Sequence, residues 1–359
     1  MSTGGADPLD DLSARAEALE AAAGRADGES RTYRIAGESV AIHLERSGNA
    51  SSVLRALEPL RVATAPATAD AAPDFDIHVW DGGSDSPVLS PLSPGSPDSV
   101  RGPPLAIPRG ILAFADHAAG VLSIYDAPRR RAHWWLNNAA RAPYYETAAP
   151  LRHLLQARIL DRGGVMLHAA AVGTAAGGML LVGGGGSGKS TSALACIDAG
   201  LGFASDDYVL VDGSVPPLAH MAYSTSKVVR ASLGRHGRHL RHFRNLDRVQ
   251  EKPMMFLHEA APGQVLRSFP LRALVMPVIA HRDHTRIVGA TAAELLRAMV
   301  PSSLLLSPFA GAVAMRRMAA LCRSIPCFRA ELAESTADVG QALSAFAAGL
   351  PVDEPKAVA

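Results

Sequence analysis

The chain has 359 residues, more than a typical single domain, and its 48% hydrophobic and 19% charged residues exclude a chain that is disordered throughout. A formal net charge of +1 gives no overall support for nucleic-acid binding. No apolar run reaches the ~18 residues of a membrane helix and the N-terminus lacks an apolar signal region, so we expect a cytoplasmic protein with neither nucleic acid nor membrane as partner.

The N-terminal half is predicted to be a small α+β domain. Residues 1–30 are expected to be a flexible tail, and residues 31–149 the domain itself. Two alternating runs in TYRIAGESVAIHLE predict paired strands, and SSVLRALEPLRVA predicts a helix capped by Ser51 or Ser52. Further strands are expected in DFDIHVWDG, GILAFADHAAGVLSIYDA and RAHWWLNNAA. Residues 82–104 are rich in Ser, Pro and Gly, which predicts a mobile loop.

The second half has the pattern of an α/β domain, expected over residues 150–350 and followed by a flexible tail at 351–359. A helix is predicted from Tyr144 to Asp161. After it, short apolar strands alternate with a helix in VMLHAAAVGT, GMLLVG, STSALACIDAG, GFASDD and YVLVDG. Such alternation predicts a sheet that carries its loops at one end.

A glycine-rich loop separates the second of these strands from the helix. It satisfies the pattern G-x-x-x-x-G-K-[ST], in which glycines let backbone N–H groups approach phosphate oxygens, the lysine reaches the β- and γ-phosphates, and the serine hydroxyl ligates Mg²⁺. The helix start also directs the positive end of its dipole at the same place. We therefore expect ATP and Mg²⁺ as cofactors, bound by Gly183, Gly184, Gly185, Gly186, Ser187, Gly188, Lys189, Ser190 and Thr191.

Two acidic residues and a histidine flank this loop in sequence. Asp206 and Asp207 stand where GFAS ends and YVLV begins, so that both can be presented to the loop: one carboxylate to hold Mg²⁺, the other to take a proton from an attacking hydroxyl. His168 lies within the apolar run VMLHAAAVG. A solvated acidic turn and a core histidine are the alternatives for these residues.

Together these segments resemble the catalytic core of the HPr kinase/phosphorylase family and its relatives, including kinases of lasso-peptide biosynthesis. The resemblance runs from about Gly164 to Asp212 and loosely on to Leu350. It implies a PEP-carboxykinase-like P-loop kinase domain. It also implies nucleotide and Mg²⁺ binding by Lys189 and Ser190, with Asp206 as catalytic base. Asp207, as the metal-side carboxylate, and His168 would support the phosphate site, so that the catalytic set is Asp206, Asp207, His168 and Lys189.

One segment departs from the family pattern. Where HPr kinases carry an acidic residue followed by Arg-Gly, this chain has AHMAYSTSKVVRASLG, which contains no acid. The basic residues of this region, Lys227 and Arg230 foremost, are candidates for contact with the transferred phosphate or with an acidic acceptor.

The leading functional hypothesis is an ATP-dependent serine kinase, a phosphotransferase whose acceptor is a hydroxyl of a peptide or protein. A kinase for a small sugar or amino-acid hydroxyl is the second. A nucleotide-gated binding module without transfer is the third, although it would need no catalytic base. The acceptor, the reverse reaction and a homo-oligomeric state stay open.

Overall fold

The computed structural model describes residues 28–45, 49–62, 72–82, 105–107, 110–116, 118–304 and 310–351, together with residues 18 and 21. The predicted tails and the predicted loop at 82–104 lie, but for a few residues, outside these ranges. The chain divides into two compact units, Met1–Asp161 (unit 1) and Arg162–Ala359 (unit 2). Among the described helices, none combines the length and the apolar character that a membrane crossing requires.

Unit 1 is built on one mixed sheet. Its strands are β1 Glu29–Ile35, β2 Glu38–Glu45, β3 Phe75–Asp81, β4 Leu105–Ile107, β5 Ile111–Asp116, β6 Val121–Asp126 and β7 Arg131–Leu136. The described strands lie in the order β1-β2-β3-β7-β6-β5-β4, with β3 parallel to both of its neighbours and the other pairs antiparallel. The strands predicted in this half are thereby confirmed.

The helices of unit 1 differ from the prediction in two places. They are α1 Ala50–Val53, which continues as a 3-10 helix at Leu54–Leu60, a 3-10 turn at Ala139–Arg141, α2 Tyr144–Ala148 and α3 Arg152–Asp161. Neither predicted serine caps α1: Asn49 precedes it, and the Ser52 hydroxyl donates to the Asn49 carbonyl instead. The single helix expected from Tyr144 to Asp161 is interrupted, because Leu151 adopts a left-handed φ of 61° that no α-helix can contain.

Helix α3 belongs to unit 1, so the division falls after Asp161 rather than at the expected residue 150. The Arg158 guanidinium donates two hydrogen bonds to the Glu38 carboxylate, at 2.5 and 3.0 Å. The Tyr125 hydroxyl donates to Asp161 at 3.0 Å. These contacts join α3 to strands β2 and β6. No local sequence pattern predicts them, because the partners are far apart in the chain.

Unit 2 is a mixed α/β unit. Its strands are β8 Val165–Leu167, β9 Ala169–Thr174, β10 Gly177–Val182, β11 Gly202–Ser205, β12 Val209–Val211, β13 Leu218–Met221, β14 Thr225–Lys227, β15 Met254–Phe256, β16 Ser268–Arg282, β17 Arg286–Gly289 and β18 Cys327–Ala333. Its α-helices are α4 Lys189–Asp198, α5 Leu257–Ala260, α6 Ala292–Leu304, α7 Gly311–Ser324 and α8 Thr336–Ala348. Two 3-10 segments lie at Arg230–His242 and Pro262–Gln264.

The main sheet of unit 2 runs β11-β9-β10-β16-β13-β12-β8, with β18 also paired to β16 and β17 to β18. Strand β16 is parallel to β10 and β18, while the other pairs are antiparallel. The predicted strand VMLHAAAVGT is divided at His168: β8 pairs with β12 at one edge, whereas β9 lies between β10 and β11. His168 therefore lies at the bend between β8 and β9.

Helix α4 packs against the sheet and against α8. Its side chains Ala193, Ala195 and Cys196 share a buried core with sheet residues such as Val172 and Leu181 and with Val339 and Leu343 of α8. This packing fixes the helix that begins at Lys189, and with it the glycine loop.

Candidate active site

The glycine loop joins the end of β10 to the start of α4, as the sequence predicts. Gly186 and Gly188 have φ values of 80° and 99°, which favour glycine over residues with a Cβ. A Cβ on Gly188 would also lie 2.9 Å from Leu332 Cδ1. The loop thus turns tightly into the N-terminus of α4, where the helix dipole and the first backbone N–H groups favour an anion.

Lys189 is held inside this loop. It is 5% exposed, and its Nζ donates to the carbonyl oxygens of Gly183 and Gly184 at 2.8 and 2.9 Å. Burial lowers the pKa of Lys189, while the carboxylates of Asp206 and Asp207 act in the opposite direction. Within the described residues the ammonium forms no salt bridge, and the buried Ser187 hydroxyl has no hydrogen-bond partner. The loop therefore holds a cation bound only to backbone carbonyls and a hydroxyl without a hydrogen-bond partner, and both suit a phosphate group.

The acidic pair stands in a tight turn after β11. The buried Ser205 hydroxyl donates to the Tyr208 carbonyl at 2.5 Å and accepts from the backbone N–H groups of Ala222 and Tyr223. Asp207 adopts a left-handed φ of 65°. Because of this left-handed turn, the carboxylates of Asp206 and Asp207 point in different directions.

Asp206 points toward the start of α4. It is fully buried, and its Oδ1 accepts from the Ser190 hydroxyl at 3.1 Å and from the Asp207 backbone N–H at 3.0 Å. Its Oδ2 accepts from the Ser226 hydroxyl at 2.9 Å. Burial, and then the nearby Asp207 charge, raise the pKa of Asp206 to about 6, against the effect of its hydrogen bonds.

Asp207 points the other way and lies between Lys227 and His168. Its Oδ2 lies 2.7 Å from Lys227 Nζ, and its Oδ1 lies 3.6 Å from His168 Nε2. Burial alone would raise the pKa of Asp207, but Lys227 and His168 together lower it well below its ordinary range. The buried Nδ1 of His168 has no partner among the described residues.

Two sizeable cavities border the glycine loop, besides a smaller one of about 60 Å³ at Gly188 and Thr191. A cleft of about 270 Å³ is lined by Gly185, Gly186, Gly188, Lys189, Ser190, Thr191, His168, Asp207 and Lys227, among others. A second cavity of about 370 Å³ lies against Gly183–Ser187, with an apolar wall of Met276, Pro277, Val278, Ile279 and Ala298. The structure thus brings the predicted loop residues, His168, Asp207 and Lys227 to one place, with Asp206 buried behind Ser190.

Arg230 lies elsewhere than expected. Its guanidinium donates to the backbone carbonyls of four residues: Asn245, Leu246, Arg248 and Glu251. Arg230 thereby links the two ends of the stretch from residue 230 to residue 251, and it does not line the cleft. Arg235 and Lys252 line it instead. The sequence analysis singled out neither, because only the folding of the segment between Lys227 and Lys252 brings them to the loop.

No protein-family model and no curated protein matches the sequence. Among solved structures, the HPr(Ser) kinase/phosphatase from Coxiella burnetii is a distant neighbour, with a TM-score of 0.28 and 11% identity. The alignment covers 50% of this chain and 94% of that one. At this level of similarity, function has to be argued from the site itself.

Proposed function

We propose that the protein is an ATP-dependent kinase that transfers the γ-phosphate of Mg·ATP to a hydroxyl, with a serine of a peptide or protein as the acceptor. The observation that carries this proposal is the cleft in which Lys189, Ser190 and Thr191 face Asp207, His168 and Lys227. A protein that only senses a nucleotide needs the first group. Phosphoryl transfer needs both, because an acceptor must be oriented next to the phosphate.

The loop side fits a triphosphate. The buried Lys189 ammonium has backbone carbonyls as its hydrogen-bond partners. These contacts are weaker than a hydrogen bond to a charged phosphate oxygen, so a phosphate oxygen can replace them. Ser190 and Asp206, whose oxygens are 3.1 Å apart, supply a hydroxyl and a carboxylate, and Mg²⁺ is commonly held by one or two such protein groups together with substrate phosphates. When bound there, Mg²⁺ would neutralise charge on the β- and γ-phosphates.

The opposite side fits an acceptor hydroxyl. Asp207 keeps its negative charge and lies in the cleft, where its carboxylate can accept a hydrogen bond from the hydroxyl and orient the oxygen toward phosphorus. The new P–O bond forms as the bond to the ADP oxygen breaks, and the hydroxyl proton passes to a carboxylate oxygen. Because the bond to ADP breaks early in such transfers, positioning matters more than base strength.

This assignment exchanges the roles that the sequence analysis expects for the two aspartates. Asp206 accepts a hydrogen bond from Ser190, the residue proposed to ligate Mg²⁺, and it is fully buried. We therefore assign Asp206 to the metal side. Asp207 lines the cleft, so we assign it to the acceptor side.

Asparagine variants of both aspartates test the assignment. Asp207→Asn should bind Mg·ATP within a few fold of wild type while transfer of ³²P from [γ-³²P]ATP to serine peptides falls by ~10²-fold or more. Asp206→Asn should instead raise the Mg²⁺ concentration needed for half-maximal activity. The reverse result would restore the roles expected from sequence, and ATP binding without transfer to any acceptor would favour a nucleotide-gated module.

Lys189→Ala tests the phosphate loop separately. Loss of one charge-assisted contact should weaken Mg·ATP binding by ~1.5–3 kcal/mol in calorimetry. Arg238→Ala removes an exposed charge outside the cleft and serves as the control. Unchanged affinity in the Lys189 variant would contradict nucleotide binding at this loop.

A further inference from the structure

We infer that the acceptor carries an anionic group, a carboxylate or phosphate, beside the hydroxyl that is phosphorylated, and that Arg235 and Lys252 bind this group. The inference rests on the proposed kinase function and extends it to the class of substrate. It is carried by two cations, Arg235 and Lys252, that line the cleft and have no partner among the described residues.

Arg235 and Lys252 line the same cleft as Lys189 and Asp207. Arg235 belongs to the 3-10 segment Arg230–His242, and Lys252 comes two residues before β15. Both are exposed. Within the described residues, neither the Arg235 guanidinium nor the Lys252 ammonium forms a hydrogen bond or an ion pair, so both are open to a ligand in the cleft.

Other cations between Lys227 and Lys252 already have partners. Lys227 pairs with Asp207, Arg244 with Glu259 at 2.9 Å and Arg248 with Glu251 at 3.2 Å. Arg230 is bound to backbone carbonyls. These four cations thus have protein partners, while Arg235 and Lys252 at the cleft have none among the described residues.

The charges of the cleft point to a second anion besides the nucleotide. In the proposed complex, Lys189 meets the phosphate chain, Asp206 lies on the Mg²⁺ side and Asp207 balances Lys227. Arg235 and Lys252 then add two positive charges. These charges would attract an anion on the acceptor.

The two side chains suit the same ligand chemistry. A guanidinium presents a planar fork that matches carboxylate or phosphate oxygens, and an ammonium adds a point charge. An acidic residue next to a serine in a peptide supplies this chemistry, and so does a small hydroxylated molecule that already carries a phosphate. The shared feature is a hydroxyl with a neighbouring negative charge.

Fluorescent serine peptides test the inference. Three peptides of identical sequence, with Glu, Gln or Lys on both sides of the serine, are titrated by anisotropy with and without Mg²⁺ and a non-hydrolysable ATP analogue. Wild type should bind the Glu peptide at least ~5-fold more tightly than the Gln peptide, and the preference should shrink as salt screens the charges. Glycerol 3-phosphate against glycerol, as competitors, tests the small-molecule source.

Charge reversal sharpens the test. Arg235→Glu and Lys252→Glu should abolish the preference for the Glu peptide, and the double variant should favour the Lys peptide. Arg238→Glu is the matched control, because Arg238 is exposed in the same 3-10 segment and does not line the cleft. It should leave the preference within about twofold of wild type.

The outcomes separate this inference from the kinase proposal. Equal binding of Glu and Gln peptides, together with no advantage of glycerol 3-phosphate over glycerol, overturns it, even if phosphoryl transfer occurs. It is also overturned if Arg235→Glu and Lys252→Glu weaken binding of the ATP analogue but leave the peptide preference intact, since the two cations would then serve the nucleotide. Failure of the analogue to bind wild type would count against the kinase proposal alone, because the peptides are also titrated without nucleotide.

Discussion

At the scale of single residues, the site places two adjacent carboxyl groups in opposite electrostatic situations. Asp206 is buried with neutral hydrogen-bond donors, and its pKa is raised to about 6. Asp207 faces Lys227 and His168, and its pKa is lowered. Ionisation of Asp206 therefore lowers the stability of the folded protein, whereas ionisation of Asp207 raises it. Groups with such divergent pKa values are typical of functional sites.

The raised pKa of Asp206 gives a prediction about stability. A carboxyl group whose pKa is higher in the folded than in the unfolded state binds its proton more tightly when folded. Its ionisation then costs folding free energy above pH 6, and this cost disappears as the pH falls toward the unfolded value near 4. Asp206→Asn removes the charge, so it should raise the free energy of unfolding by ~1–3 kcal/mol at pH 8. The gain should be largely lost at pH 4.

Urea denaturation at several pH values, followed by circular dichroism, measures this effect. Asp212→Asn is the control of opposite sign. Burial alone would raise the pKa of Asp212, but hydrogen bonds from His220, Ser214 and the Leu218 backbone lower it, so its replacement should destabilise at neutral pH and matter less in acid. A destabilised Asp206→Asn at pH 8 would contradict the electrostatic cost assigned to this carboxylate.

The sequence predicts the glycine loop well because its signal is local. The residue types, the apolar strand before them and the helix after them all lie within about twenty residues. The division of labour between the aspartates depends on the left-handed turn at Asp207, which the letters Asp-Asp do not reveal. The place of Arg230 is also set by distant residues: backbone carbonyls 15 to 21 residues further along the chain accept hydrogen bonds from its guanidinium.

At the scale of elements, the close approach of α4 and α8 fixes the phosphate loop. Gly340 on α8 faces the backbone of α4, and a Cβ at this position would overlap the Ala195 carbonyl oxygen. Because backbone atoms cannot move aside as a flexible side chain can, the two helices tolerate only glycine here. The position of Lys189, the first residue of α4, thus depends on a residue about 150 positions further along the chain.

Gly340→Ala should therefore affect both folding and binding. Forcing α8 away from α4 should cost ~1–3 kcal/mol of unfolding free energy, as overpacked cores do. It should also weaken Mg·ATP binding by a few fold. Far-UV circular dichroism in urea and calorimetry measure the two effects.

Gly349→Ala provides the matched control on the same helix. Gly349 has a φ of −86°, and the nearest atom to an added Cβ is 3.6 Å away, so this change should stay within ~0.5 kcal/mol of wild type. Equal stability of the two variants would show that α4 and α8 do not depend on their close contact.

Predicted and observed elements differ mainly at interruptions. The strand β10 and the helix α4, which have clear apolar patterns, lie where the sequence places them. The break at Leu151 directly follows Pro150, which is a local signal against a continuous helix. The break at His168 falls inside an apolar run that looks continuous in sequence. It arises because long-range pairing sends the two halves to different neighbours: β8 to β12, and β9 to β10 and β11. Local periodicity carries no information about such partners.

At the scale of the whole molecule, the candidate chemistry and the tryptophans occupy different units. The loop, the aspartates and the cleft lie in unit 2, whereas all three tryptophans, Trp80, Trp134 and Trp135, lie in unit 1 and are buried. Tryptophan fluorescence should therefore report on unit 1, and nucleotide affinity on unit 2.

The buried ion pair of unit 1 allows this separation to be tested. Glu38 and Arg158 have side chains only 8% and 15% exposed, and two hydrogen bonds join them. Arg158→Met leaves the Glu38 carboxylate buried without this partner, which should cost ~3–5 kcal/mol in the tryptophan-detected urea transition. The double variant with Glu38→Gln removes the unpaired charge and should recover at least ~1 kcal/mol of that loss. Mg·ATP affinity, measured by calorimetry without urea, should stay within about twofold of wild type in both variants. A parallel fall in nucleotide affinity would mean that the two units depend on each other for the site, and a loss below ~1 kcal/mol would mean that water replaces the guanidinium at Glu38.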